Sequence, residues 1–209
     1  VEGMFYHPRI DKELLRSRSK GLFGLSSCLG GELAQTLMKE GRERAKEVAR
    51  EYASMFEPGS FFLEMQSNGV PEQSEVNDAW RVVSRETGIP VVATNDCHYV
   101  RREDARAHEI LMCIQSGKTI NDEKRLHNKT DAYFIKSPAE MTAPFHDIPE
   151  ALENTVRIAR ECNVELKLGH SMLPRYRVPE GYDTESYMRK VAADGLDARF
   201  REMQSRGLK

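Results

Sequence analysis

The stretch Val91-Val92-Ala93-Thr94-Asn95-Asp96-Cys97-His98-Tyr99 reads as a short buried strand that ends by presenting an aspartate and a histidine two residues apart. Its apolar beginning is continuous rather than alternating, the pattern of a strand covered on both faces of a parallel sheet. Residues just past the carboxyl end of such a strand are where α/β folds place chemistry. Asp96 and His98 supply one oxygen and one imidazole, a pair suited to a divalent metal. The competing reading makes Asp96 a cap for the following helix and His98 a residue packed beneath a loop. Spacing alone leaves the two level.

Upstream of this strand the same rhythm repeats. Leu22 to Cys28 reads as a small apolar strand running into Leu29-Gly30-Gly31-Glu32, where two glycines relieve the turn. Helices follow over about Glu32 to Lys39 and Arg42 to Met55, the second with Ala45, Val48, Ala49 and Tyr52 on one stripe. Phe61 to Gln66 is a second strand, and Gln73 to Glu86 a helix with Val76, Trp80 and Val83 facing in. Downstream, Arg102 to Gln115 is expected as a helix with Ala107, Ile110, Leu111 and Ile114 buried and Gly117 at its C-terminal end.

Strand and helix alternate with connections of a few residues, which means a parallel sheet. Three or four strands are too few to close a barrel and leave an unprotected edge. The fold class is therefore α/β, an incomplete (β/α) barrel whose remaining strands are expected before Val1. A chain that begins Val1-Glu2-Gly3-Met4 also reads as a segment of something longer.

Beyond Thr119 the chain turns polar. Ala132 to Ile135 can form a short strand, and Ser137-Pro138-Ala139-Glu140 is a capping box with proline at the first helical position. Asp147-Ile148-Pro149-Glu150 repeats the device and launches a helix to about Glu161, its inward stripe being Leu152, Val156, Ala159 and Cys162. Leu166 to Gly181 is a linker by composition, and Thr184 to Arg206 one long helix with Tyr187, Val191, Leu196 and Phe200 lacking a core to join. A domain boundary falls near residue 170.

Bulk composition narrows the function classes. Of 209 residues, Lys and Arg total 31 and Asp and Glu 33, and a net charge of −2 argues against a dedicated nucleic-acid wrapper. No apolar run approaches the roughly 20 residues that span a bilayer, so no membrane partner is expected. No signal peptide is visible at Val1. Cys28, Cys97, Cys113 and Cys162 form no C-x-x-C pair, a sparse usage that fits a reducing cytoplasm without disulfides.

Cys28, Glu64 and the Asp96/His98 pair each sit at or just beyond a strand end, and in a barrel such ends converge on one face. Thiolate, carboxylate and imidazole together are compatible with Zn²⁺, or with Mn²⁺ where oxygen ligands dominate. On sequence alone Cys28 is more readily a small buried filler than a ligand. Glu64, between Leu63 and Met65, is read as pointing to solvent and is left out of the ligand set. His108 is read as a half-buried packing residue, and His7, His127, His146 and His170 have no metal-like spacing. The Arg101-Arg102 pair is read as a solvated surface. No Ser-His-Asp order, phosphate-binding glycine loop or H-E-x-x-H helix is present.

Several stretches occurring in order carry a resemblance. They are Tyr6-His7-Pro8-Arg9-Ile10-Asp11, Ser27-Cys28-Leu29-Gly30-Gly31-Glu32, Asn95-Asp96-Cys97-His98-Tyr99, Ala107-His108-Glu109-Ile110-Leu111, Cys113-Ile114-Gln115-Ser116-Gly117-Lys118, Ile135-Lys136-Ser137-Pro138-Ala139-Glu140-Met141 and Ala151-Leu152-Glu153-Asn154-Thr155. Together they resemble the polymerase-and-histidinol-phosphatase (PHP) domain of the bacterial DNA polymerase III alpha-subunit family. Leu173-Pro174 through Gly195-Leu196 is similar to that family's lead-in to the palm region.

The resemblance implies a distorted (β/α) barrel of PHP type over residues 1–169, the C-terminal part of that domain. A linker over 170–183 and the start of the palm over 184–209 would follow. It places metal ligands on Asp96, His98 and Cys28, with Zn²⁺ or Mn²⁺ as cofactor and a 3′–5′ phosphodiesterase ancestry. It implies a segment of a DNA-directed DNA polymerase acting in chromosome replication in the cytoplasm. The partners would be DNA, through the full-length polymerase, together with the proofreading exonuclease and other replicase subunits. The family's opening His-x-His motif and its polymerase acidic triad would lie before Val1 and beyond Lys209, so the segment alone is expected to be inactive. The alternative is a free-standing metal-dependent phosphoesterase of the PHP superfamily, against which the long charged helix after the linker argues.

Overall fold

The computed structural model describes residues 3–166, 168–169 and 176–207. Residues 170–175 of the expected linker, His170 among them, lie outside the described residues. The chain divides into two compact units, Val1–Asn163 and Val164–Lys209.

The first unit opens with a hairpin of β1 (Met4–Phe5) and β2 (His7–Pro8), then α1 (Lys12–Arg18), whose first turn is capped by the Asp11 carboxylate accepting from Leu14 N at 2.8 Å. There follow β3 (Gly24–Leu25), α2 (Glu32–Glu40), α3 (Arg42–Ala53), β4 (Phe61–Gln66), α4 (Pro71–Thr87) and β5 (Val91–Thr94). The three strands lie in the order β3-β4-β5, all parallel, with Gly24 opposite Phe61 and Leu63 opposite Val91. This is the small parallel sheet of an incomplete α/β barrel, as the alternation of strand and helix demands.

Strand β4 is buried on both sides, and its two faces differ in chemistry. Phe61, Leu63 and Met65 join Val91 and Ala93 in one core with Ala45, Val48 and Ala49 of α3 and Val76, Trp80 and Val83 of α4. The other face carries Phe62, Glu64 and Gln66 beside Val92 and Thr94. Strand β3 is shorter than expected because Ser27 turns the chain immediately after it, at φ 71. Gly24 lets Phe56 pack over this strand: a Cβ would stand 2.5 Å from the ring, which would have to shift.

The later part of this unit departs from the sequence reading in four places. Arg102–Asp104 is a 3-10 turn, and α5 begins at Ala105 and runs to Ser116, closed by Gly117 at φ 64. The expected apolar stripe of α5 is not buried: Ile110, Leu111 and Ile114 are 44%, 62% and 70% exposed, Ala107 is exposed, and Cys113 alone is buried. The helix is instead held on its polar side, by the His108 ring against His98 and Tyr99 and by an Arg125–Glu109 ion pair at 2.7 Å. Ala132 to Ile135 forms no strand, only a bridge between Phe134 and Tyr99.

The capping box at Ser137 forms as expected and opens α6 (Pro138–Thr142). Its repeat does not form. Asp147 is one residue too early, Ile148 is the residue before α7 (Pro149–Glu161), and the Asp147 carboxylate instead accepts from Arg81 of α4 at 2.7 Å. Helix α7 buries Ala151, while Val156, Ala159 and Cys162 are exposed. The reason lies at the sheet edge. Asn154 donates to Val91 O at 2.8 Å and Thr155 to Ala93 O at 2.6 Å, so α7 is turned to satisfy the outward carbonyls of β5. The edge on that side is covered rather than open.

In the second unit, α8 (Thr184–Ser205) starts from a capping box made by Asp183 and Ser186. Val191, Leu196 and Phe200 are about half exposed, as the missing core implied. Among the described residues no helix is long and apolar enough to cross a membrane.

Candidate metal centre

The carboxyl ends of β3, β4 and β5 lie side by side, and the short polar groups there are bonded across the strands. Ser26 accepts from Glu64 N at 2.8 Å, and Ser27 N donates to Glu64 Oε2 at 3.1 Å. Thr94 Oγ1 and Gln66 Nε2 both donate to Glu64 Oε1. Glu64 therefore does not point to solvent; it links all three strand ends. Alternation alone cannot show this, because the non-helical face of a barrel strand points into the barrel. The readable signal was Glu64 and Gln66 on one face of an otherwise apolar strand.

Beyond β5, Asp96 is held at φ 52, the left-handed region that aspartate enters more readily than most residues. This conformation brings Asp96 Oδ1 within 3.2 Å of His98 Nε2. Asp96 does not cap the next helical turn; Asp104 does, accepting from Arg101 N at 2.9 Å. His98 N donates to Tyr133 O at 2.8 Å, and its ring lies 4.8 Å from that of Tyr133 and 5.5 Å from His108.

Cys28 is half-buried and lines a cavity of about 10 Å³ with Ser27, Glu64, Gln66 and Asn77. That is room for a single water or ion. Tyr133 stands near both groups: burial pushes its phenol pKa up, and the charges of Asp96 and Cys28 push it further. Asp96 and His98 are thus brought together, and Cys28 lines its cavity with Glu64. Among the described residues no three or more His, Cys, Asp or Glu side chains gather closely enough to enclose a metal ion. The donor types fit Zn²⁺ or Mn²⁺, and the geometry offers two small ligand groups rather than a closed shell.

A lysine lies beside the turn that carries the pair and bonds Asn95 within it. Lys136 Nζ donates to Asn68 Oδ1 at 2.8 Å, to Ala132 O at 2.6 Å and to Asn95 Oδ1. Burial pushes its pKa down. Arg102 is engaged as well, with Asp131 at 2.6 Å and over the Phe134 ring at 4.6 Å. Among the described residues the remaining histidines take no part: His7 is exposed on the hairpin, and the His127 and His146 rings lie beside backbone carbonyls at 3.4 and 3.0 Å. All four cysteines are free.

Comparison with known proteins shows what the chain is similar to. A family model described as "PHP domain" matches residues 1–68. The DNA polymerase III subunit alpha of Thermus aquaticus is 41% identical over 206 residues, 96% of this chain and 17% of that protein. That of Treponema pallidum is 40% identical over 201 residues, again 96% and 17%, and that of Borreliella burgdorferi 39% over 208 residues, 99% and 18%. The chain matches a segment of the DNA polymerase III alpha subunit. It spans about a sixth of the length of these alpha subunits, and the match runs through both compact units.

Proposed function

We propose that this chain is a segment of the catalytic alpha subunit of a bacterial replicative polymerase, serving there as a metal-bearing and scaffolding PHP domain. Residues 1–169 would be the PHP part, 170–183 a linker and 184–209 the start of the palm. The observation that carries the reading is 41% identity sustained over 206 residues of one alpha subunit, rather than a match confined to one motif.

Asp96 and His98 would be metal ligands at one point and Cys28 at another, where it shares a cavity with the Glu64 carboxylate. The ion, Zn²⁺ or Mn²⁺, would supply Lewis-acid chemistry toward a phosphodiester. The chain's own part is to hold the Asp96–His98 pair at the end of β5 and to fix Glu64 through Ser27, Gln66 and Thr94. DNA, the proofreading exonuclease and other replicase subunits would be partners of the whole subunit, in the cytoplasm.

A graft tests this. The 209 residues replace the matching segment of the Thermus aquaticus alpha subunit, and primer extension is measured. Retained extension is expected. A chimera that folds but cannot extend, beside a free chain that hydrolyses small phosphate esters, would favour the free-standing phosphoesterase instead.

A further inference from the structure

We infer that Lys136 is a positioning residue for the Asp96–His98 pair, acting through Asn95 as a clamp between the loops that follow β4 and β5. An ammonium group has three donors and no acceptor. All three of these are used: on Asn68 after β4, on Asn95 after β5, and on the Ala132 carbonyl of its own segment. Each acceptor is a neutral amide oxygen, so the lysine is held by geometry and by charge-assisted hydrogen bonds rather than by an ion pair.

The consequence reaches the site by one covalent step. With its Oδ1 taken by Lys136, the Asn95 side chain must turn its Nδ2 the other way, where it donates to Phe134 O at 2.6 Å and to Cys97 Sγ at 3.1 Å. Asn95 is thereby fixed at both ends of its amide, immediately before Asp96 at φ 52. The same segment also receives the His98 and Tyr99 N–H groups on Tyr133 O, at 2.8 and 3.3 Å. Residues 132–136 thus grip the whole Asn95–Tyr99 turn, and Lys136 ties that grip back to the loop after β4.

Asn68 shows that the clamp has a cost. It is fully buried, its backbone N–H donates to Gln73 Oε1 at 2.9 Å, and its Nδ2 has no partner. A buried unpaired donor is costly. Flipping the amide would turn Nδ2 toward a cation, so Lys136 dictates the orientation in which Nδ2 is left unpaired.

The inference deepens the metal-site reading and rests on it only for affinity. Lys136→Met and Lys136→Arg are compared with wild type and with the core variant Val83→Ala as a stability control, using amide hydrogen exchange at Asn95–Tyr99 and titration with Zn²⁺ and Mn²⁺ alone. In Lys136→Met the His98 and Tyr99 amides should exchange at least tenfold faster at low denaturant, and metal affinity should fall by roughly tenfold, as for other groups that orient ligands. Lys136→Arg should recover part of both, and Val83→Ala should move neither once global unfolding is subtracted. Unchanged local exchange in Lys136→Met would overturn the inference. Wild type that binds no metal while Lys136→Met still loosens the turn would leave the clamp standing and remove the metal reading instead.

Discussion

Asp96 sits in the left-handed region at φ 52 with its Oδ1 3.2 Å from Nε2 of His98. A two-residue spacing in an extended strand would point both side chains the same way but along the strand, about 7 Å apart at the backbone. The left-handed residue folds the spacing into a contact. Asp96→Gly and Asp96→Ala both remove the carboxylate, yet only alanine keeps the conformational penalty. The glycine variant should be more stable than the alanine variant by about 1 kcal/mol in urea unfolding, with both losing whatever metal the wild type binds. Equal stabilities would show that the turn is not strained at this residue.

The two capping sequences make opposite predictions although they look alike. Ser137 accepts from Glu140 N, and Glu140 returns a bond from Ser137 N at 2.8 Å. Ser137→Ala should cost about 1 kcal/mol. Asp147 caps nothing and pairs with Arg81 across α4, both partners being partly exposed. A double-mutant cycle between Asp147→Ala and Arg81→Ala should return a coupling of about 0.2–1 kcal/mol, weakened by salt.

Acid should loosen the first unit in a definite pH window. The Lys12 and Tyr52 hydrogen bonds hold Glu32 below the usual carboxylate range, the Arg125 bond does the same for Glu109, and the Arg81 bond for Asp147. Their folded pKa values are depressed, so the unfolded chain binds protons first. This stabilisation is complete above the ordinary glutamate value of 4.5 and is lost as pH falls below it. Tyr52 predicts the opposite limb. Burial, and then the Glu32 hydrogen bond and charge, push its phenol up to about 12, so its contribution is intact below 10 and is lost as pH rises toward 12. Urea midpoints measured across both limbs should fall at each end; a flat acid limb would contradict the pairing of Glu32 with Lys12.

How far the sequence could be read follows the physics of each element. Strand β4, helix α3 and helix α4 were legible because apolar periodicity there is set by one core. Helix α5 was not: its apolar stripe has the right spacing, but its contacts are made by His108 and Glu109 on the other side. Helix α7 runs to Glu161 as its pattern implies and packs Leu152 on the core, but beyond it the stripe stays exposed because Asn154 and Thr155 answer to carbonyls on β5, a demand no local pattern encodes. Asp96 and His98 could be found from their position after a strand. The inward direction of Glu64 is not legible, since flanking apolar residues say nothing about which face lines a barrel. Lys136 lies 40 residues from Asp96 in sequence, and only the folded loops bring its amine to Asn95.

The most direct test of the central claim is the metal content of the chain itself. The protein is dialysed against Zn²⁺ or Mn²⁺, freed of loose ions and analysed by mass spectrometry, beside Asp96→Ala, His98→Ala and Cys28→Ser. The account predicts bound metal in the wild type, its loss in Asp96→Ala and His98→Ala, and weakened retention in Cys28→Ser. A folded wild type that retains no metal, or retention undiminished by removal of His98, would contradict it.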